Sequence, residues 1–331
     1  MIKFDEQKQL KSINGALALR GEIERIVDAI YAEGFDGLFF VGIGGTWASS
    51  LQVATYMAGK SALPVYAENA AEYVTNGNRR LGPKSVLVFS SVTGSTEEVA
   101  QALELAKKAG ARIFGFVDDP KASLARKVDY LVSYPMQEQL KFLMVALRLM
   151  YKNGEFPEYE RCFEELDAHL ARGLVEAEKA ADCFGEAFAK AHRDDQIHYF
   201  VGAGTQWGAT YSYAMCFWEE QHWLRARPVH AGEFFHGLLE VIERDTPVTL
   251  FLGEDAERPL AERVRNFLPR ICGNYTFIDS KDYELEGISP EFRGAVSHLV
   301  MRVVTARIDA HLEVENRHPT EIRRYYRRLS Y

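Results

Sequence analysis

The sequence predicts an α/β protein built from two doubly wound parallel sheets that are related by an internal repeat. Three observations carry this expectation. Short runs rich in β-formers alternate with helical patterns in both halves of the chain. VGIGGTW at 41–47 returns as VGAGTQW at 201–207, 160 residues further on in a chain of 331. One strand-like run, at 85–90, enters a helix through a loop crowded with hydroxyls.

In the first half the strand-like runs are LFFVGI (38–43), LPVYA (63–67), SVLVFS (85–90), ARIFGFV (111–117) and VDYLVSY (128–134). Between them, WASSLQVATYMAGK and STEEVAQALELAKKAG have helical patterning. The second closes on Lys107, Lys108 and Gly110, as a helix C-terminus does. A β-α-β order calls for parallel strands with helices on both faces. QEQLKFLMVALRLMYKNG adds an apolar helix, and an amphipathic stretch runs on to about residue 192. The alternation restarts with IHYFVGA (197–203), TPVTLFLG (246–253) and NYTFIDS (274–280). The expected divisions are an N-terminal helical segment (1–36), a first subdomain (37–150), linker helices (151–195), a second subdomain (196–318) and a tail (319–331).

Composition excludes several classes. With 47% hydrophobic and 26% charged residues the chain reads as an ordinary globular protein. A net charge of −8 argues against nucleic acid or an anionic membrane as partner. Cys162, Cys183, Cys216 and Cys272 lie far apart, which suits a reducing cytoplasm and spells no metal knuckle. The first 15 residues lack a signal-peptide core, and no run approaches the roughly 18 apolar residues of a membrane span. His222, His230 and His236 match no metal-ligand spacing, so no metal is expected.

The hydroxyl-rich loop is the main functional signal. Ligands of parallel α/β sheets sit beyond the carboxyl ends of the strands. SVLVFS delivers the chain there, and a helix begins at once, with free N–H groups and a partial positive charge. Gly94 permits close backbone approach, and Ser91, Thr93, Ser95 and Thr96 add uncharged donors. A phosphate monoester fits that description. The bland alternative is that Thr96 caps the helix and the serines satisfy loop amides. In the second half the matching loop, FLGEDAERP, carries Glu254, Asp255 and Glu257, which would repel phosphate. VGIGGTW is a poor dinucleotide fingerprint, because Trp47 stands where the third glycine is needed for helix packing.

FSSVTGSTEEV resembles the phosphosugar-binding loop of sugar isomerase (SIS) domains, which are doubly wound and flavodoxin-like. VGIGGTW and VGAGTQW resemble the first strand-turns of the two SIS halves of glucosamine-6-phosphate synthase. AENAAEY (67–73) resembles a loop after the second SIS strand. FWEEQHWLRARPVHAGEFFHGLLEVI (217–242) resembles the stretch that ends in the H-G motif of double-SIS enzymes. The tail, ENRHPTEIRRYYRRLSY, resembles that of fructosamine-6-phosphate deglycases. The resemblance implies Ser91, Thr93 and Thr96 around the phosphate, with Gly44, Gly45 and Thr46 on the other wall. It implies Glu220 as catalytic carboxylate and His236 as catalytic histidine. It also implies no metal or organic cofactor, and a homodimer or dimer-based oligomer with a shared site. Leu238 and Val92 stand where proline and glutamine are usual. Glu321 stands near the position of the synthase's catalytic lysine, which counts against synthase chemistry.

The expected activity is therefore cleavage of a phosphorylated sugar-amine. A 1-deoxy-1-amino-fructose 6-phosphate would give glucose 6-phosphate and an amine or amino acid. That chemistry needs a carboxylate base near C1 and C2 and an acid able to turn over near neutral pH, for which histidine is suited. Glu220 lies late in an apolar helical run (TYSYAMCFWEE), and Glu233 is a candidate to orient His236 or cap a helix. Glu138, Gln139 and Arg317 are further candidate substrate contacts. An amino-sugar-6-phosphate isomerase or deaminase and a non-catalytic phosphosugar-binding regulator are the competing readings.

Overall fold

The computed structural model describes residues 1–330. They form two compact units, residues 7–171 and residues 1–6 with 172–330.

The first unit opens with helices α1 (Glu6–Leu17, whose first residue lies in the other unit) and α2 (Arg20–Glu33). It continues through β1 (Gly37–Gly42), α3 (Gly45–Ala58), β2 (Val65–Asn69), α4 (Ala70–Asn76), β3 (Ser85–Ser91), α5 (Glu97–Lys108), β4 (Arg112–Val117), β5 (Tyr130–Val132), α6 (Glu138–Lys152) and α7 (Tyr159–Glu165). All strand pairs are parallel, in the order β2-β1-β3-β4-β5. Every residue of β1 and β3 is buried, so these strands read as unbroken apolar runs and not as alternating ones. On one face Phe39, Val41, Leu87 and Phe89 meet Val99, Ala102, Leu103 and Ala106 of α5. Those four α5 positions recur at helical spacing and form its apolar stripe. On the other face Phe40 and Phe116 meet Phe142 of α6, with ring centroids 5.1 and 6.0 Å apart.

The second unit contains α8 (Ala171–Ala180, whose first residue lies in the first unit), α9 (Asp182–His192), β6 (His198–Gly202), α10 (Thr205–Ser212), β7 (Ala226–His230), β8 (Val248–Leu252), α11 (Arg258–Phe267), β9 (Tyr275–Asp279) and α12 (Pro290–Glu315). Its parallel sheet has the order β7-β6-β8-β9. This repeats the 2-1-3-4 order of the first sheet without a fifth strand. Strand β7 was not among the runs read from the sequence. Arg227 and Pro228 disguise it, and its place at the sheet edge is where proline is tolerated.

The repeat extends to backbone detail. Gly44 (φ 60°, ψ −127°) precedes α3 and Gly204 (φ 61°, ψ −135°) precedes α10, so both halves leave the first strand by the same turn. No helix among the described residues is long and apolar enough to cross a membrane.

Candidate active site

In the first unit the loop from Val92 to Thr96 joins β3 to α5. Gly94 adopts φ +61°, and a Cβ there would lie 2.3 Å from Ala122 Cβ, so only glycine fits. The Gly94 N–H donates to Ser91 Oγ at 3.0 Å, and its carbonyl accepts from Ser123 Oγ at 3.0 Å and Leu124 N–H at 3.1 Å. The loop is thus braced before any ligand arrives. Thr96 occupies the N-cap of α5, yet its side chain makes no capping hydrogen bond. The bland reading of Thr96 is therefore not realised: the hydroxyl stands at the helix start without serving the helix. Thr93 and Ser95 are exposed on the same loop.

Gly44 and Gly45 form the turn into α3. Thr46 closes that turn on itself, its Oγ1 accepting from Ile43 N–H at 3.1 Å and donating to the Ile43 carbonyl at 3.0 Å. One turn along α3, Ser49 Oγ donates to Glu138 Oε1 at 2.6 Å. Glu138 is delivered by two successive left-handed residues, Met136 (φ 63°) and Gln137 (φ 56°), at the start of α6. Glu138 Oε2 and Ser90 Oγ are both buried without a hydrogen-bond partner. Ser90 lies near enough to favour the ionised carboxylate without closing a bond, but burial dominates and raises the Glu138 pKa above the ordinary range. Gln139 Nε2 donates to Gln52 Oε1 at 2.7 Å, so it is engaged inside the unit. Lys141, fully buried, donates to the Tyr134 carbonyl at 2.9 Å and lies 3.6 Å from Asp118. Burial lowers its pKa. Sequence reading missed this lysine, which sits in an apolar helical run.

The second unit shows what happens where the hydroxyl loop is absent. Asp255 Oδ2 accepts from Thr205 N–H at 2.7 Å and from Thr205 Oγ1 at 2.5 Å, at the start of α10. A protein carboxylate has taken the anion position of that helix N-terminus. Glu254 is tied to Arg293 by two hydrogen bonds of 2.8 Å.

Glu220 and His236 both belong to this unit. After α10 the helix widens into a π-turn over Tyr213–Glu219 instead of the ordinary α-helix expected there, and the Glu220 N–H reaches back five residues to the Met215 carbonyl at 3.0 Å. The turn buries Trp218 completely, against Phe188, His198 and Phe200. Glu219 is exposed, whereas Glu220 is half-buried. Glu220 Oε1 accepts from Arg323 Nε at 2.9 Å, and Arg323 Nη2 forms an ion pair with the same oxygen, 2.9 Å away. Sequence reading missed this pair, whose members lie 103 residues apart. His236 is exposed and ends a short 3₁₀ turn that begins at Phe234, a residue buried in the core. Glu233 precedes that turn and its side chain does not cap it. Arg317 (φ 51°) lines a surface cavity of about 590 Å³ with Trp223, His318 and Arg324.

His222 Nε2 lies 3.3 Å from Asp309, and His230 Nδ1 accepts from Gly232 N–H at 3.1 Å. A different trio has metal-ligand composition: His192, Asp195 and His198. Its geometry is accounted for by hydrogen bonds. Asp195 Oδ2 lies 2.9 Å from His192 Nδ1 and 2.8 Å from His198 Nδ1, and His198 Nε2 lies 2.8 Å from Thr249 Oγ1. Burial lowers the His198 pKa to about 4, so the ring is neutral.

Two parallel sheets of one strand order, and a glycine-braced hydroxyl loop on only one of them, define the class. Residues 36–150 match the SIS domain. It is 26% identical to the fructosamine deglycase FrlB of Bacillus subtilis, over 94% of this chain and 97% of that protein. It is likewise 26% identical to the fructoselysine 6-phosphate deglycase of Escherichia coli, over 92% of this chain and 89% of that one. Among solved structures, a candidate phosphosugar isomerase of Bacillus subtilis superposes with a TM-score of 0.88 at 27% identity, covering 96% of this chain and 99% of the other.

Proposed function

We propose that this protein is a deglycase that converts a 6-phosphorylated fructosamine into glucose 6-phosphate and an amine or amino acid. The observation that carries the reading is the near full-length likeness to two proteins named as deglycases of such compounds. The loop of Ser91, Thr93, Gly94, Ser95 and Thr96 takes the phosphate, with Gly44, Gly45 and Thr46 on its other wall. Free N–H groups at the start of α5 and the uncapped Thr96 hydroxyl support this.

With the ring open, Glu220 removes a proton from C1 while the C2 carbonyl oxygen gains one, which leaves an enaminol. The proton is returned to C2, the C1–N bond becomes an imine, and water adds at C1. Collapse breaks the C1–N bond and frees the amine. His236 serves the ring oxygen and the C2 oxygen as acid and base. Glu138, Gln139, Glu233 and Arg317 are the candidate contacts to the rest of the substrate. The working form is a homodimer or a dimer-based oligomer in the cytoplasm. Cys162, Cys183, Cys216 and Cys272 form no disulfide with one another, which suits that compartment.

A panel of 6-phosphorylated fructosamines, with glucose 6-phosphate release measured, tests the reading. Turnover of at least one member supports it. Release of fructose 6-phosphate and ammonia from an amino-sugar phosphate, with the panel inert, would replace it with the isomerase or deaminase reading. The name of the B. subtilis structural neighbour favours an isomerase. Mixing a variant defective in the phosphate loop with one defective in His236 tests the shared site. No regain of activity in the mixed dimers would exclude it.

A further inference from the structure

We propose that Arg323, in the C-terminal tail, is the positioning residue for the catalytic base, an inference that rests on Glu220 being that base. Glutamate has a long side chain, and a base must present one lone pair in one direction. Misplacement by about an ångström can cost on the order of a hundredfold in rate. The π-turn fixes the Glu220 backbone but leaves its side chain about a third exposed (30%). Arg323 supplies the missing restraint. Its Nε donates to Oε1 at 2.9 Å, its Nη2 lies 2.9 Å from the same oxygen as an ion pair, and no hydrogen bond from the described residues engages Oε2. One oxygen is held and the other is left for the proton.

The guanidinium is itself fixed. Its Nη1 donates to the carbonyls of Thr320 and of Ile322, the latter at 3.1 Å. The tail around it is stapled to the segment that carries Glu220. Arg324 lies 4.0 Å over the Trp223 ring, and His318 packs against that ring at 4.0 Å. Trp223 holds a left-handed backbone (φ 58°) three residues after Glu220, a conformation that persists only where the surroundings impose it. Lysine keeps the charge but cannot present three N–H groups in one plane to a carboxylate and two carbonyls. The tail thus acts on the chemistry through Glu220 and does not itself touch the reacting carbons.

The test is a double-mutant cycle on the intact enzyme, with kcat and KM measured separately and guanidinium added as a chemical substitute. Arg323→Ala is expected to lower kcat by about 10–100-fold with KM within twofold, and millimolar guanidinium hydrochloride is expected to restore much of the loss. Arg323→Lys should fall between the two. On the Glu220→Gln background, Arg323→Ala should cost nothing further, because the base it orients is gone. An Arg323→Ala enzyme with unchanged or raised kcat would overturn the proposal, and so would a loss confined to KM. A full further loss on the Glu220→Gln background would overturn it as well, since the arginine would then act without the carboxylate. An active Glu220→Gln enzyme would instead sink the assignment of the base.

Discussion

Glu219 and Glu220 are neighbours of one type, and their surroundings give them different capacities. Glu219 is the more exposed, with partial burial raising its pKa and the Ala226 N–H beside its carboxylate, whereas Glu220 is half-buried and held by a guanidinium. Glu220→Gln keeps the size and shape of the side chain but removes the group proposed to accept the C1 proton. It is expected to lower kcat by at least about a hundredfold, within the range for a lost general acid–base group, with KM little changed. His236→Asn should behave alike. Glu219→Gln should keep nearly full activity. If Glu219→Gln is the inactive enzyme and Glu220→Gln is active, the base has been assigned one residue too late.

In the proposed reading the strand-to-helix connection is the element on which substrate affinity rests. The two halves make the same connection and use it differently. The loop after β8 sends Asp255 to the start of α10, while the loop after β3 surrounds the start of α5 with hydroxyls, one of them at an N-cap it does not cap. If that helix start holds the phosphate, replacing Ser91 and Thr96 together by alanine removes two charge-assisted hydrogen bonds, each worth roughly 1.5–3 kcal/mol. KM should then rise at least about tenfold while kcat changes less. An unchanged KM in a folded variant would remove the phosphate from this loop. Ser91 also accepts the Gly94 N–H, so a Thr96→Ala single variant separates ligand binding from loop bracing.

For the whole molecule, buried histidines couple folding to pH. His298, in α12, is buried with its Nδ1 unpartnered, and burial lowers its pKa from 6.5 to about 4. The unfolded chain binds this proton more readily than the folded one. The stability it contributes is therefore complete above about pH 6.5 and is lost as pH falls toward 4, at about 1.4 kcal/mol per pH unit. His198 has the same sign but is tied to Asp195. His298→Gln should lose about 2 kcal/mol less than the natural chain between pH 7 and pH 5, read as the difference in urea midpoint shifts. Equal losses in both proteins would show that His298 is not a source of the acid sensitivity.

What the sequence by itself determined is what short-range pattern can encode. Apolar runs bounded by glycine and polar residues, and a seven-residue turn repeated at an offset of 160, were enough for two parallel sheets with helices. The hydroxyl loop was legible because its residues are contiguous. Strand β7 was hidden because an edge strand tolerates Arg227 and Pro228, which central-strand rules exclude. The π-turn before Glu220 was hidden too, since an α- and a π-turn share composition and differ only in which carbonyl each N–H reaches. Only the tertiary structure decided that Arg323 meets Glu220, that Glu138 meets Ser49 and that Asp255 occupies the start of α10. Those pairs are separated by 103, 89 and 50 residues. No local propensity specifies such a contact, because it follows from the path of every element between the two partners.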